Sequence, residues 1–335
     1  MSALHALPIA AAAVVLLTPV IFYVAAPERL LALMRWALRR RSGSRLRWVD
    51  AAGSRWPFLE GGKRAGEPLV LLHGYAGDKD NWALYLAFFR RRYRLICPDL
   101  PGFGENDRSL GRGYDSASQA DRLVRFLDAL GIDRCHLAGN SMGGMIALRA
   151  ALDFPERIRS LTLIDNAGVT GARQSELIAA AAEGANGLAV RSEADFDRVM
   201  RLVMHKPPRM PRRIKRVMVE DAARHQVSLD SIFAEIVGEI ASRPFNPRLH
   251  EVRAPTLIVW GREDRAIDVS CVAVLEQGIA GSEAVILDQT GHVPMVERPA
   301  ETARHHLDFL RRHAAVREGV SPTPAIESAE ALPCA

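Results

Sequence analysis

A mostly parallel, doubly wound α/β sheet interrupted by a helical insertion is the architecture this sequence predicts, and three observations carry it. Short, predominantly apolar runs recur at Leu69–Leu72, Cys135–Ala138, Thr256–Trp260 and Ala284–Leu287. Runs of that length suit strands buried on both faces of a parallel sheet. Between them lie helical patterns at Asn81–Arg91, Ser116–Leu130, Met142–Phe154, Val269–Ile279 and Pro299–Arg312, with further strand-like runs at Tyr93–Cys97 and Ile158–Ile164. Strand and helix in alternation predict right-handed crossovers and a parallel sheet. The alternation breaks once. From Ala167 to Arg253 no buried strand is evident, only helix-like stretches such as Ser175–Ala185, Glu193–Met204 and Leu229–Ile240.

The elements follow in chain order. Leu46–Val49 and Trp56–Leu59 read as antiparallel strands turning near Ala52-Gly53. The first buried run ends at Leu72 and is followed by His73-Gly74-Tyr75-Ala76-Gly77. The run from Cys135 leads into Gly139-Asn140-Ser141-Met142-Gly143-Gly144 and then directly into an apolar helix. A serine hydroxyl is a weak nucleophile, and a sharp strand-to-helix turn flanked by glycines is one way to lift it above a sheet. Thr256–Trp260 ends in Gly261-Arg262-Glu263-Asp264, and Ala284–Leu287 is followed by Gly291-His292. Nucleophile, acid and base thus occur in the order Ser141, Asp264, His292, each past the end of a buried strand, where parallel strands converge on one crevice.

At these residues the chain resembles the α/β-hydrolase superfamily, over roughly Leu46 to Arg312. The combination of LLHGYAG, PDLPGFG at Pro98–Gly104, GNSMGG, WGREDRAIDVS at Trp260–Ser270 and GHVPMVERP at Gly291–Pro299 looks most like membrane-anchored monoacylglycerol lipases and their bacterial lipase relatives. GNSMGG also occurs in hydrolases that cleave carbon-carbon bonds of ring-fission products. Those relatives usually carry an aromatic residue after the histidine, where this chain has Val293. The resemblance implies Ser141 as nucleophile, His292 as general base and Asp264 as the carboxylate that holds the imidazole, with Asp268 the rival acid. It also implies an oxyanion hole from the backbone N–H groups of Tyr75 and Met142. No cofactor is implied, and neither HExxH nor a paired-cysteine spacing supports a metal.

Other residues read as structural. His73 is expected to shape its loop and Asp99 to organise the Pro98–Gly104 turn, while Asn140 orients a neighbouring loop. His305, His306 and His313 fall on a helix that reads as a surface helix and are expected to be solvated. Arg209–Arg216, interrupted by Pro211 and preceded by Pro207 and Pro208, reads as a solvated basic loop.

The catalytic pieces span most of the 335 residues, so one large domain with appendages is simpler than two domains. The expected division is residues 1–45 as N-terminal anchor and basic segment, 46–166 and 254–313 as the core, 167–253 as a helical cap, and 314–335 as a disordered tail. A net charge of +5 is modest, only four of the 44 basic residues are Lys, and no nucleic-acid motif accompanies them, which sets that partner aside. Cys97, Cys135, Cys271 and Cys334 are scattered without a disulfide framework. Ala6–Ala26 is 21 residues without a charge, enough to cross a hydrocarbon core. Seven Arg lie between Pro27 and Arg47, and no Lys or Arg precedes the apolar run. That asymmetry predicts an uncleaved single-pass anchor with the catalytic domain in the cytoplasm. A signal peptide cleaved near Val24-Ala25-Ala26, with a secreted or periplasmic enzyme, is the competing reading. Glu28–Arg41 mixes Leu30, Leu31, Met34, Trp36 and Leu38 with arginines, as a helix at a lipid surface would.

Overall fold

In the computed structural model, residues 23–109, 113–171 and 173–317 are described. Helix α1 (Pro27–Ser42) begins with proline, whose fixed φ and missing N–H suit a first turn, and stops at Gly43, where φ is +72°. Strands β1 (Ser44–Ala51) and β2 (Ser54–Gly62) form a hairpin. Its two turn residues, Ala52 and Gly53, have φ of 49° and 75°, the left-handed pair that matches strand twist. There follow β3 (Pro68–Leu72), α2 (Ala83–Leu86), β4 (Arg94–Pro98), α3 (Ser116–Ala129), β5 (Cys135–Asn140), α4 (Met142–Asp153) and β6 (Ile158–Ile164). Four helices come next: α5 (Glu176–Ala182), α6 (Glu193–Val203), α7 (Arg212–Arg224) and α8 (Gln226–Ser242). The chain returns to the sheet with β7 (Thr256–Gly261), α9 (Cys271–Gly278), β8 (Glu283–Leu287), α10 (Pro294–Glu297) and α11 (Pro299–Arg317).

These strands make one eight-stranded sheet in the order β1-β2-β4-β3-β5-β6-β7-β8. The β1–β2 and β2–β4 pairs are antiparallel and the rest parallel, as the α/β pattern predicts. The period-2 alternation of strand side chains divides each run between two cores. Val70, Leu72, Leu137, Ile258 and Trp260 enter the core under α3, α4 and α9, where Trp56 stacks on Phe126 with centroids 4.8 Å apart. Leu69, Leu71, Ala138, Leu257 and Val259 enter the opposite core with Trp82, Tyr85 and Phe309. Cys97 and Cys135 lie fully buried in strands. Among the described residues no strand falls between β6 and β7.

Three expectations need correction. His306 is not solvated: it is 1% exposed, bonded through Nδ1 to Tyr85 and through Nε2 to Thr162. One helical position decides between solvent and core, and the paired His305-His306 spelling concealed which of the two faces inward. The basic stretch after Pro211 is the first turn of α7, not a loop. Ile214 and Val219 are buried five residues apart, while Lys215 and Arg216 reach Asp197 and Glu193 on α6. Finally, α11 continues to Arg317, four residues into the stretch expected to be a tail. The remainder of the tail and the expected membrane-crossing segment up to Phe22 lie outside the described residues. Among those described, no helix is long and apolar enough to cross a membrane.

Burial lowers the His306 pKa from 6.5 to about 3, so the folded state takes up a proton there less readily than the unfolded chain. The stability contributed by the neutral ring is complete above about pH 6.5 and is lost as the pH falls toward 3. Replacing His306 with Gln should therefore lower the melting temperature most at pH 7, with the gap to wild type narrowing steadily toward pH 4.

Candidate active site

Ser141 stands between β5 and α4 with φ of 55° and ψ of −120°. A non-glycine residue held in the left-handed region costs about 1–3 kcal/mol and persists only where its surroundings enforce it. The surroundings here are backbone. A side chain at Gly139 would fall on the Gly143 carbonyl, one at Gly143 on the Leu72 and His73 carbonyls, and one at Gly144 on Asn166. Sheet and helix therefore meet at a separation that only hydrogen atoms tolerate. The helix starting at Met142 aims its unpaired N–H groups, the positive end of the macrodipole, at the turn. Ala76, Asp165 and Gln289 also have positive φ, so four of the five such non-glycine residues among those described lie in loops leaving β3, β5, β6 and β8.

The acid and base predicted from sequence are brought together. His292 Nδ1 lies 2.7 Å from Asp264 Oδ2, with both residues buried. A carboxylate can only accept, so the bond places the ring proton on Nδ1 and leaves the Nε2 lone pair free. Asp264 Oδ1 accepts from the N–H groups of Ala266 and Ile267, at 2.8 and 3.0 Å, which fixes the carboxylate. Asp268, the rival, instead accepts from the Ser270 N–H within its own turn. Asn140 joins base to elbow: its Nδ2 donates to the His292 carbonyl at 2.9 Å and to the Ile164 carbonyl at 3.2 Å.

The loop after β3 closes on the elbow from the other side. A Cβ on Gly74 would stand 3.2 Å from Ser141 Cβ, so Tyr75 follows directly beside the serine. His73 shapes this loop. Its Nε2 accepts from the Leu100 N–H at 3.0 Å, which puts the ring proton on Nδ1, 2.8 Å from the Gly74 carbonyl. Burial lowers its pKa, consistent with a neutral ring. Asp99 does organise its turn, accepting from the Glu105 and Lys79 N–H groups and pairing with the buried Lys79 ammonium at 2.7 Å.

Sequence reasoning missed two supports and one neighbour. Glu297 accepts from the Gly291 and His205 N–H groups, and Val203, at the end of α6, accepts from the His292 N–H at 2.9 Å. Glu297 stands within the GHVPMVERP motif and was open to discovery; Val203 acts through its carbonyl and carries no side-chain signal. The neighbour is Asp165, fully buried at the end of β6. Asp165, Asp264 and His292 have polar atoms within 4.8 Å of one another. The direct bond between Asp264 and His292 engages the two atoms a cation would need, so the trio fits proton chemistry better than metal ligation.

Fold and site together define a class, and comparison with known proteins agrees. The profile of the alpha/beta hydrolase fold family matches residues 67–299, and the chain belongs to that family. Among individual relatives, lipase 1 of Psychrobacter immobilis is 35% identical over 263 residues, 77% of this chain and 81% of its own. Monoacylglycerol lipase ABHD6 of Bos taurus is 28% identical over 306 residues, covering 87% and 91%. The crystal structure of a membrane phospholipase A, described as a bacterial virulence factor, superposes with a TM-score of 0.83 at 38% identity, covering 93% of this chain and 97% of that one. A meta-cleavage product hydrolase from Pseudomonas fluorescens IP01 superposes less closely, with a TM-score of 0.71 at 25% identity over 79% of this chain and 97% of its own.

The elbow yields a stability prediction independent of any chemistry. Gly143→Ala drives a methyl group into two strand carbonyls, which backbone movement alone can relieve. Destabilisation of at least about 1–3 kcal/mol should follow, read by thermal or urea unfolding. Gly131→Ala, whose added Cβ meets nothing within 4 Å but whose φ is +65°, should cost less.

Proposed function

We propose that this protein is a serine hydrolase of carboxylic esters, acting on monoacylglycerols or similar single-chain lipids through an acyl-Ser141 intermediate. The observation that carries the reading is the buried His292–Asp264 bond, with Asn140 tying the base's carbonyl to the serine turn. In this reading Ser141 Oγ attacks the ester carbonyl while His292 Nε2 takes its proton and returns it to the departing alcohol. Asp264 stays ionised and stabilises the imidazolium. The oxyanion accepts from the backbone N–H groups of Met142 and Tyr75, each such donor being worth about 10² to 10³ in rate. Water activated by His292 then releases the acid, and no metal or organic cofactor enters any step.

Substrate class follows from the surroundings and the relatives together. Leu177, Leu202 and Phe233, from the helices between β6 and β7, cluster with Tyr75 over the loop after β3, so the neighbourhood of the serine turn is apolar, as an acyl chain would require. Residues 167–253 serve as the cap over the crevice. The ring-fission reading shares the fold and all three catalytic residues, and its support is the fold likeness to a meta-cleavage product hydrolase. Closer similarity to lipases, and Val293 where ring-fission enzymes carry an aromatic residue, favour esters.

The enzyme is further proposed to work at a membrane. Residues 6–26 would anchor the chain with the catalytic domain on the cytoplasmic side, and α1 would lie against lipid. On that helix Leu33, Met34 and Trp36 are each about half exposed, with the Arg40 guanidinium over the Trp36 ring. A tethered enzyme meets bilayer-resident esters at high local concentration.

Ser141→Ala should abolish ester hydrolysis and labelling by a fluorophosphonate while the melting temperature changes little; retained labelling would move the nucleophile elsewhere. Asp264→Asn should lower kcat by about 10³- to 10⁴-fold, since the imidazole tautomer is lost, and Asp268→Asn should have a far smaller effect. An enzyme lacking residues 1–22 should keep its turnover of a short soluble ester yet lose most activity on long-chain monoacylglycerol in vesicles. Equal activity on both substrates would refute the tether, as would a mature N-terminus near Ala26.

A further inference from the structure

The acid that holds His292 has a second acid beside it. Asp165 leaves β6 with φ of 44°, a conformation that strains a non-glycine residue and turns its side chain into the buried space behind Asp264. Asp165 Oδ1 accepts from the Gly261 N–H at 2.9 Å. Its other oxygen, Oδ2, is buried and meets no donor. A carboxylate left that way in the interior is costly, whereas a carboxylic acid, with a proton on Oδ2, can donate. The acid beside it, with a polar atom within 4.8 Å, is Asp264, whose oxygens already take the Ala266 and Ile267 N–H groups and His292 Nδ1.

Resting on the catalytic roles proposed above, we infer that Asp165 is a positioning residue, a carboxylic acid that keeps its proton at working pH and donates it as a hydrogen bond to the Asp264 carboxylate. Two anions at that separation cannot both remain ionised in a buried site. The charged groups facing Asp165 divide the burden accordingly. Asp264 has His292 and two N–H donors to stabilise a charge, while Glu297, on α10, adds only further negative potential. Burial, with these two acids, pushes the Asp165 pKa well above the usual carboxylate range. The donated bond does two things. It holds the Asp264 carboxyl plane in line with His292 Nδ1, and it gives the buried Asp165 Oδ2 a hydrogen-bond partner.

Asparagine separates this role from others, because Asp165→Asn keeps an oxygen for the Gly261 N–H and an amide donor for Asp264 but cannot ionise. With the full-length enzyme and a short soluble ester at pH 7, Asp165→Asn should keep kcat/KM within about fivefold of wild type. Asp165→Ala should lower it about 10- to 100-fold, mainly in kcat, the worth of a hydrogen bond to a charged group. A second readout needs no activity. The folded state holds the Asp165 proton more tightly than the unfolded chain, so wild-type stability conferred below about pH 4 is lost progressively as pH rises toward the folded pKa. The melting temperature of Asp165→Asn relative to wild type should thus rise between pH 5 and pH 9, and this comparison stands even where the alanine variant fails to fold. A relative melting temperature that is flat or falls with pH shows an ionised Asp165 and overturns the inference, as does Asp165→Asn losing as much kcat as the alanine variant. Full activity in Asp264→Asn would instead remove the catalytic assignment on which the role depends, while leaving the unfolding comparison to report the protonation state of Asp165.

Discussion

The close approach of α4 to the carboxyl ends of β3 and β5 is the constraint on which the rest of the site depends. Gly139, Gly143 and Gly144 let backbone meet backbone where no Cβ fits. The turn between them forces Ser141 to a φ of 55°. That strain is offset because both flanking elements are buried, so the serine cannot relax without lifting a helix from the sheet. Once the turn is fixed, the helix N-terminus and Asn140 adjoin the serine along the chain and the Gly74 loop packs against it. The site is rigid because its supports are main chain.

How much of this was legible in the sequence follows from what kind of signal each part leaves. The strand-end positions of Ser141 and Asp264 were readable because each follows an apolar run that forms a fully buried strand, whereas His292 follows β8, an edge strand with Ile286 exposed, where the apolar spelling overstated the burial. The buried runs themselves set the sheet, and Ile158–Ile164 is a strand to the residue expected. Asp165 was hidden for the opposite reason. Its strand ends in Asp-Asn-Ala-Gly, an ordinary turn spelling, and only the parallel pairing of β6 with β7 brings it behind Asp264. His306 was misread because a helix puts neighbouring histidines on different faces, and nothing local tells which face meets Tyr85 and Thr162. The basic start of α7 was misread because Arg-rich, Pro-flanked spelling conceals two buried apolar positions, Ile214 and Val219.

The N-terminal helix shows the same tension between local spelling and tertiary use. Its arginines read as a membrane-facing charge belt, yet Arg39 makes a two-pronged pair with Asp80, at 2.7 and 2.6 Å, and Arg35 reaches Asp78 at 3.3 Å. Those two ion pairs lock α1 onto the loop that follows the Gly74 turn. Whatever surface Trp36 and Met34 meet, they meet it at a fixed attitude to the catalytic crevice, because the helix carrying them is fastened to the catalytic domain itself.

The helices between β6 and β7 are likewise fastened at two points that matter for chemistry. The Tyr75 hydroxyl donates to the Leu229 carbonyl of α8 at 2.8 Å and accepts from Asn186 at 3.1 Å, while its ring meets Phe103 and Phe233 edge-on. On the other side, the His292 N–H donates to Val203 of α6. One anchor is Tyr75, whose N–H is proposed for the oxyanion hole; the other is His292, the proposed base. Movement of these helices away from the sheet would break bonds to the two residues proposed to place an oxyanion donor and to move the proton. Displacing the apolar cluster around Tyr75 and disturbing these two residues are therefore parts of a single equilibrium.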